Sequence, residues 1–200
     1  MKLISSPASP FVRKVRVVLH ETGQTADVEI INVTTTPFKV ADEVLGANPT
    51  GRIPALIRPD GVALHDSRVI TRYLDARAKA SLYPEARIWE VLTLESMAHS
   101  IMDSAVLTFY EGRFRTPEQQ SPEWIDAQWG KIAGALKVIN ERWMSHLAGP
   151  MDIGHISIGC ALAYLDFRHD ARNWRQGVDG LAEWYENFKE RDSMKTTTPE

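Results

Sequence analysis

Residues 2–19 constrain the fold more than any other stretch. Lys2-Leu3-Ile4-Ser5 reads as a short strand, and Ser6-Pro7-Ala8 is turn-forming. Pro10 stands where a helix tolerates proline best, in its first turn, and Ser9 just before it is the expected N-cap. Val12, Val15 and Leu19 then recur at helical spacing with Arg13, Lys14 and Arg16 between them, the pattern of a helix packed on a sheet. A strand that turns tightly into a helix start brings unsatisfied N–H groups and the positive dipole end to one point. Ser9 adds a hydroxyl there, so this turn is a candidate anion site.

The next segments extend the same pattern. Gly23 suits a left-handed helix stop, residues 27–33 form a β-branched strand, and a turn at Thr34-Thr35-Thr36-Pro37 leads into a modest helix over 38–45. Strand–helix–strand order with a short crossover predicts parallel pairing. Pro59-Asp60-Gly61 then separates apolar runs at 55–58 and 62–65, which predicts an antiparallel hairpin. A helix follows from Asp66-Ser67, a pair suited to capping it. Pro54, directly before the hairpin, reads from its residues alone as an ordinary trans proline at a strand start.

Beyond a linker at 79–86, strand signals disappear. Ile88, Val91, Glu95, Ala98, Met102, Ala105 and Phe109 follow a 3.6-residue period, giving a long helix over 88–114. Helices over 124–147, 156–167 and 181–188 follow, the second apolar on nearly every side and so central. The expected organisation is an α/β domain over 1–78 and an all-helical domain over 87–200.

Composition narrows the function classes. A formal net charge of −3 with both signs scattered argues against nucleic acid as a partner. No apolar run reaches the ~20 residues that span a bilayer, and Pro7, Pro10 and the basic residues after them interrupt any signal-peptide pattern. A cytoplasmic protein without a membrane partner is the expectation. Cys160 is the single cysteine, so an internal disulfide or a CxxC redox pair is impossible. The six histidines show no HExxH-type spacing, and no metal is expected.

At Ser9-Pro10-Phe11 the chain resembles the glutathione transferase superfamily, in its bacterial serine-type and omega- or tau-like members, where Ser-Pro-Phe or Cys-Pro-Phe opens the first helix. Asn48-Pro49-Thr50-Gly51-Arg52-Ile53-Pro54-Ala55-Leu56 resembles the signature around that superfamily's cis proline, and Asp66-Ser67 matches its acidic-Ser pair. The domain order matches as well, so the resemblance covers essentially the whole chain. It implies a thioredoxin-like N-terminal domain (βαβ-ββα) followed by an all-α domain. It also implies a glutathione S-transferase using glutathione as co-substrate, with Ser9 donating a hydrogen bond to the thiolate and a cis Ile53–Pro54 bond.

Further roles follow from the same resemblance. The Ile53 main chain would pair with the cysteinyl residue, Asp66 and Ser67 would hold the γ-glutamyl end, Arg52 would face the glycyl carboxylate, and Phe11 would pack beside the thiol. Met102, Tyr110 and Phe114 are candidate walls for a small electrophile, although their spacing suits helix core equally. A homodimer, with Arg68, Arg72, Glu90 and Glu95 near its interface, is implied too. A glutathione-dependent peroxidase and a non-catalytic protein-binding module are the alternatives. One departure stands out. The buried helix of the family opens with a Ser/Thr-x-x-Asp box, whereas here Asp152-Ile153-Gly154-His155 occupies it, so His155 is expected neutral or paired with Asp152.

Overall fold

The computed structural model describes residues 1–199, which form two compact units. The first comprises residues 1–85 together with 191–199, and the second residues 86–190. In the first, β1 (Lys2–Ser5), α1 (Pro10–Glu21), β2 (Glu29–Asn32), α2 (Asp42–Ala47), β3 (Ala55–Ile57), β4 (Leu64–His65) and α3 (Ser67–Ala78) occur in that order. The sheet order is β2-β1-β3-β4, with β1 parallel to β2 and both other pairings antiparallel, as expected for the thioredoxin-like arrangement.

Strand alternation explains how this small sheet is buried on both faces. Ile4 and Ala55, paired in register, point toward Val44 and Ala47 of α2, with Ile31, Val33 and Ile53 closing that cluster. Leu3 and Leu56, the next pair, face the other side, where Val12, Val15, Val18 and Leu19 of α1 and Ile70 and Leu74 of α3 are buried. Gly51 carries φ of +69° in the turn before β3, a conformation that any other residue except Asn or Asp adopts at a cost.

The C-terminal segment belongs to the first unit. Residues 191–199, expected in the helical domain, pack on the N-terminal unit through a short helix α9 (Asp192–Lys195). The buried Arg13 guanidinium donates to the Met194 carbonyl at 2.9 Å and to Thr197 Oγ1 at 3.4 Å. Glu21 takes both arms of Arg191 at 2.8 Å and accepts from Ser193 as well. The hydrogen bond from Arg191 is the main reason that the Glu21 carboxyl lies below its ordinary pKa. A buried arginine on α1 whose guanidinium must find acceptors is therefore what draws the chain end back to the first unit.

The second unit is built on α4 (Ile88–Phe114), α5 (Pro122–Arg142), α6 (Met144–Leu147), α7 (Ile153–His169) and α8 (Asp179–Phe188). Every residue of α7 from Ile153 to Leu165 is buried, which confirms it as the central helix. It lies close against α4: a Cβ on Gly154 would stand 2.9 Å from Leu94 Cδ2. The single helix expected over 124–147 is instead two, α5 and α6, separated at Trp143. No helix among the described residues is long and apolar enough to cross a membrane.

Candidate functional site

Three connections leave the same end of the sheet. In register, Ile4 stands beside Ala55 and Ala55 beside His65, so the end of β1, the start of β3 and the end of β4 are neighbours. Ser9 follows β1, Ile53–Pro54 precedes β3, and Asp66-Ser67 follows β4. The topology of the first unit thus gathers the residues expected to hold glutathione.

Ser9 is the N-cap of α1, with extended backbone, and its Oγ accepts from the Val12 N–H at 3.3 Å. That contact occupies a lone pair and leaves the O–H as a donor. The helix start supplies the positive dipole end at the same point. The neighbouring serines differ: Ser5 is completely buried at the end of β1, and Ser6 spends its carbonyl on the Ser9 N–H at 3.0 Å. Phe11 is half-buried on the first turn.

The Ile53–Pro54 peptide bond is cis, as the resemblance implied and as the residues alone did not indicate. The β1–β3 ladder ends at Ile4–Ala55, so the amide and carbonyl of Ile53 stand beyond it. Asn48 braces this turn from within. Its side chain is buried, donates to the Arg52 carbonyl at 2.7 Å, and accepts from the Thr50 N–H at 3.0 Å and hydroxyl at 2.8 Å. Arg52 itself extends into solvent.

Asp66 is the N-cap of α3 and adopts φ of +69° and ψ of 127°, a region costly for a residue with a side chain. Its carboxylate accepts from the Arg68 N–H at 2.9 Å and takes the Arg68 guanidinium at 3.1 and 2.8 Å. A carboxylate has about four lone-pair sites, enough to accept a further donor such as an ammonium group. Ser67, the first helical residue, is 2% exposed, and its Oγ has no hydrogen-bond partner. A buried, unsatisfied hydroxyl at a helix start, beside a strained cap, fits a site for a ligand carboxylate next to a ligand ammonium.

The candidate wall residues divide. Met102 is 1% exposed and lies in the buried interior. Tyr110 and Phe114 are half-buried on α4 with their rings edge-on at 5.2 Å. Sequence reasoning passed over Asn48 as a brace, Arg68 as the partner of Asp66, and Arg168 between the Phe109 and Phe167 rings. Only Asn48 carried a local signal, an asparagine opening a turn.

Among the described residues, His146, Asp152 and His155 offer ligand atoms within 4.8 Å of one another. The buried Asp152 caps α7, accepting from the Gly154 N–H at 2.9 Å, and it pairs with His146 Nε2 at 2.8 Å and His155 Nδ1 at 2.9 Å. Arg87 lies 3.6 Å from its other oxygen. Burial alone would push the Asp152 carboxyl up. The hydrogen bond and charge of His155, together with those of His146, outweigh this and hold it below its ordinary value. His155 Nδ1 also lies 3.2 Å from the Asp152 N–H, and the two contacts exclude each other. A proton on Nδ1, given to the carboxylate, leaves only a bare lone pair on the buried Nε2, whereas the other tautomer strands a buried N–H there. His155 is therefore paired with Asp152, as expected. With its carboxylate already met by His146, His155 and Arg87, the trio serves the helix start.

Two family models match the chain: the glutathione S-transferase N-terminal domain over residues 8–77 and the C-terminal domain over residues 122–187. The chain is similar in structure to a glutathione transferase family member from Pseudomonas fluorescens Pf-5 with bound glutathione. That match has TM-score 0.97 and 43% identity, covering 100% of this chain and 98% of the other. A second structure of a Pseudomonas fluorescens Pf-5 family member, with bound S-(propanoic acid)-glutathione, matches with TM-score 0.92 and 43% identity over the full length of both. The uncharacterized GST-like protein YibF of Escherichia coli is 31% identical, covering 100% of this chain and 98% of its own length. Two matched domains and full-length relatives agree with the geometry at Ser9, Pro54 and Asp66: the chain belongs to the glutathione S-transferase family.

Proposed function

We propose that in this glutathione transferase Ser9 lowers the pKa of the glutathione thiol by donating a hydrogen bond to the thiolate, which then attacks a small electrophile. The observation that carries this is the Ser9 hydroxyl at the α1 start, with a lone pair on Val12 and its proton available. A free thiol of pKa near ~8.5 is only a few per cent ionised at neutral pH. Lowering that value by about two units takes roughly 2.7 kcal/mol of preference for the anion. One charge-assisted hydrogen bond contributes about 1.5–3 kcal/mol. The helix start adds ~0.3–1 kcal/mol, so the two together are of the required size. Ser9 acts as a donor to charge, not as a base.

The remainder of the tripeptide is held by the same end of the sheet. The Ile53 amide and carbonyl pair with the cysteinyl residue as an added strand. Asp66 accepts from the α-ammonium, while the buried Ser67 hydroxyl and the α3 N–H groups take the α-carboxylate. Arg52 meets the glycyl carboxylate, and Phe11 flanks the thiol. A relative's bound S-(propanoic acid)-glutathione is a thioether ending in a carboxylate. We extend that product class to this chain. The protein works as a homodimer, which sedimentation at micromolar concentration checks: a species of 22.5 kDa alone contradicts it.

Ser9→Ala tests the central claim. Thiolate absorbance of the glutathione complex, followed against pH, is expected to shift upward by about 1–2 units on loss of the bond. Turnover falls with it, and glutathione affinity changes less. An unchanged titration in a variant that remains folded refutes the role of Ser9.

A further inference from the structure

We propose that Arg13 is a positioning residue for the thiolate-activating hydroxyl: seated on the C-terminal segment at Met194 and Thr197, it fixes the start of α1 and with it Ser9. That role rests on the transferase reading above, and every residue in it belongs to the first unit.

The spacing along α1 sets up the contact. Arg13, Val17, His20 and Glu21 share one face of the helix, turned away from the face of Val12, Val15 and Leu19 that meets the sheet. A helix packed on a sheet alone would leave that second face in water. Here Arg13 and Val17 are buried, and α9 packs against α1. Three of the four residues bond to the C-terminal segment. Glu21 takes Arg191 and Ser193, His20 Nε2 lies 3.2 Å from Thr196 Oγ1, and Arg13 reaches the Met194 carbonyl and Thr197 Oγ1. The segment therefore runs along α1 from its last turn toward its first.

Arg13 stands one turn into the helix from Ser9. Its N–H donates to the Ser9 carbonyl at 2.9 Å, so the main chains of the two residues move together. The Thr197 hydroxyl donates to the Ser193 carbonyl at 2.7 Å, which leaves a lone pair for Arg13 Nε. Two N–H groups of one planar fork, each with its own acceptor, fix distance and orientation at once. Apolar burial on the sheet is non-directional and tolerates small slides of α1 along its axis. A hydrogen bond to a thiolate does not, because it weakens steeply with angle and distance. A misplacement of ~1 Å caused away from the chemistry can cost ~10²-fold in rate. Arg13 removes that freedom beside Ser9. Glu21 and Arg191 hold the same segment at the far end of α1, about 18 Å along the axis, where they stabilise it without setting the helix start.

The test titrates the thiolate of bound glutathione by its absorbance, beside Tm, in four variants of the full chain. Arg13→Met is expected to raise the thiolate pKa by about 0.5–1 unit, part of the shift expected from losing the Ser9 bond itself. With it kcat at neutral pH falls about three- to tenfold, while KM for glutathione stays within about twofold. Thr197→Val keeps the charge of Arg13 and the shape of its seat but removes an acceptor. It is expected to raise the pKa by about 0.3 unit or more, and it carries the test where the Met variant folds poorly. Arg13→Lys, which keeps the charge without the fork, is expected to restore only part of the shift. Arg191→Ala is expected to lower Tm and leave the titration at its wild-type position. Titrations unchanged in Arg13→Met and Thr197→Val overturn the assignment. So does a rise in Arg13→Met that Arg13→Lys abolishes and Thr197→Val does not share, since charge alone then acts. An equal rise in Arg191→Ala overturns it as well, because general loosening then accounts for both. A wild-type complex whose thiol titrates like free glutathione overturns the Ser9 reading and this role together, a result distinct from the others.

Discussion

Replacing Asp152 by Ala removes the carboxylate around which the start of α7 is assembled. Five favourable contacts go at once: the Gly154 N–H at 2.9 Å, the His155 N–H at 3.4 Å, the His146 ring at 2.8 Å, the His155 ring at 2.9 Å and Arg87 at 3.6 Å. The side chain is 0% exposed, so water cannot replace them. Removing the acceptor from a buried, hydrogen-bonded network costs about 3–5 kcal/mol, because the groups that donated to it are left unsatisfied. At about 2–4 °C per kcal/mol for a chain of this size, Tm falls by about 6–20 °C.

Asp152→Asn separates the two roles of the side chain. Asparagine caps a helix as well as aspartate does, so the ~0.5–2 kcal/mol of capping is kept while the charge and one of the two acceptor oxygens are lost. Thermal unfolding followed by circular dichroism should therefore rank wild type above Asn and Asn above Ala. An Ala variant melting within about 2 °C of wild type refutes the reasoning, since it falls well below the smallest shift the lost contacts allow. The pH dependence has a defined sign. The folded-state pKa of Asp152 is lowered from 3.8, so its stabilisation is complete above that value and is lost as pH falls below it. The Asn variant should lose less stability than wild type over that acidic window.

Ser67→Ala should leave Tm unchanged or slightly raised, because the hydroxyl removed is buried without a partner, yet weaken glutathione binding by about tenfold, read by calorimetry. Equal affinity in that variant would return Ser67 to a purely structural role. Burial, foremost among its causes, lowers the pKa of His169 from 6.5, and the ring donates from Nε2 to the Ala105 carbonyl at 2.9 Å. The unfolded chain then binds the proton more readily, so the contribution of His169 is full above pH 6.5 and is lost as pH falls toward the lowered value. In His169→Gln the slope of Tm against pH between about 7.5 and 5 should flatten; an identical slope contradicts the assignment.

What was legible in the sequence lies where one short stretch decides the geometry. Ser9-Pro10 signals a capped helix start because both residues act within a single turn, and α1 begins at Pro10 with Ser9 as its cap. Asp66 as a cap was readable for the same reason, but its φ of +69° with ψ of 127° was not, since nothing in an Asp-Ser pair demands so costly a backbone conformation. The cis bond at Pro54 came from the resemblance alone, because a proline before a strand is far more often trans. Trp143 gave no warning of the break between α5 and α6, having neither proline nor glycine beside it.

The features that stayed hidden depend on groups brought together by packing. Arg13 and Met194 are 181 residues apart, and Glu21 and Arg191 170, so no local window shows that the chain end returns to α1. Arg168 reads in sequence as an ordinary cation near a helix end, where the dipole favours it. Its place between two rings arises only because Phe109 comes from α4 and Phe167 precedes it on α7. The residues expected to hold glutathione stand at the ends of elements, in caps and turns that are local by nature. The ring cluster of α4 and α7 is instead set by which faces of two long helices meet, and those faces carry the same aromatic spacing that a plain core requires. Residues expected to hold the tripeptide were thus nameable one by one, whereas the rings that flank Arg168 are brought together only by packing.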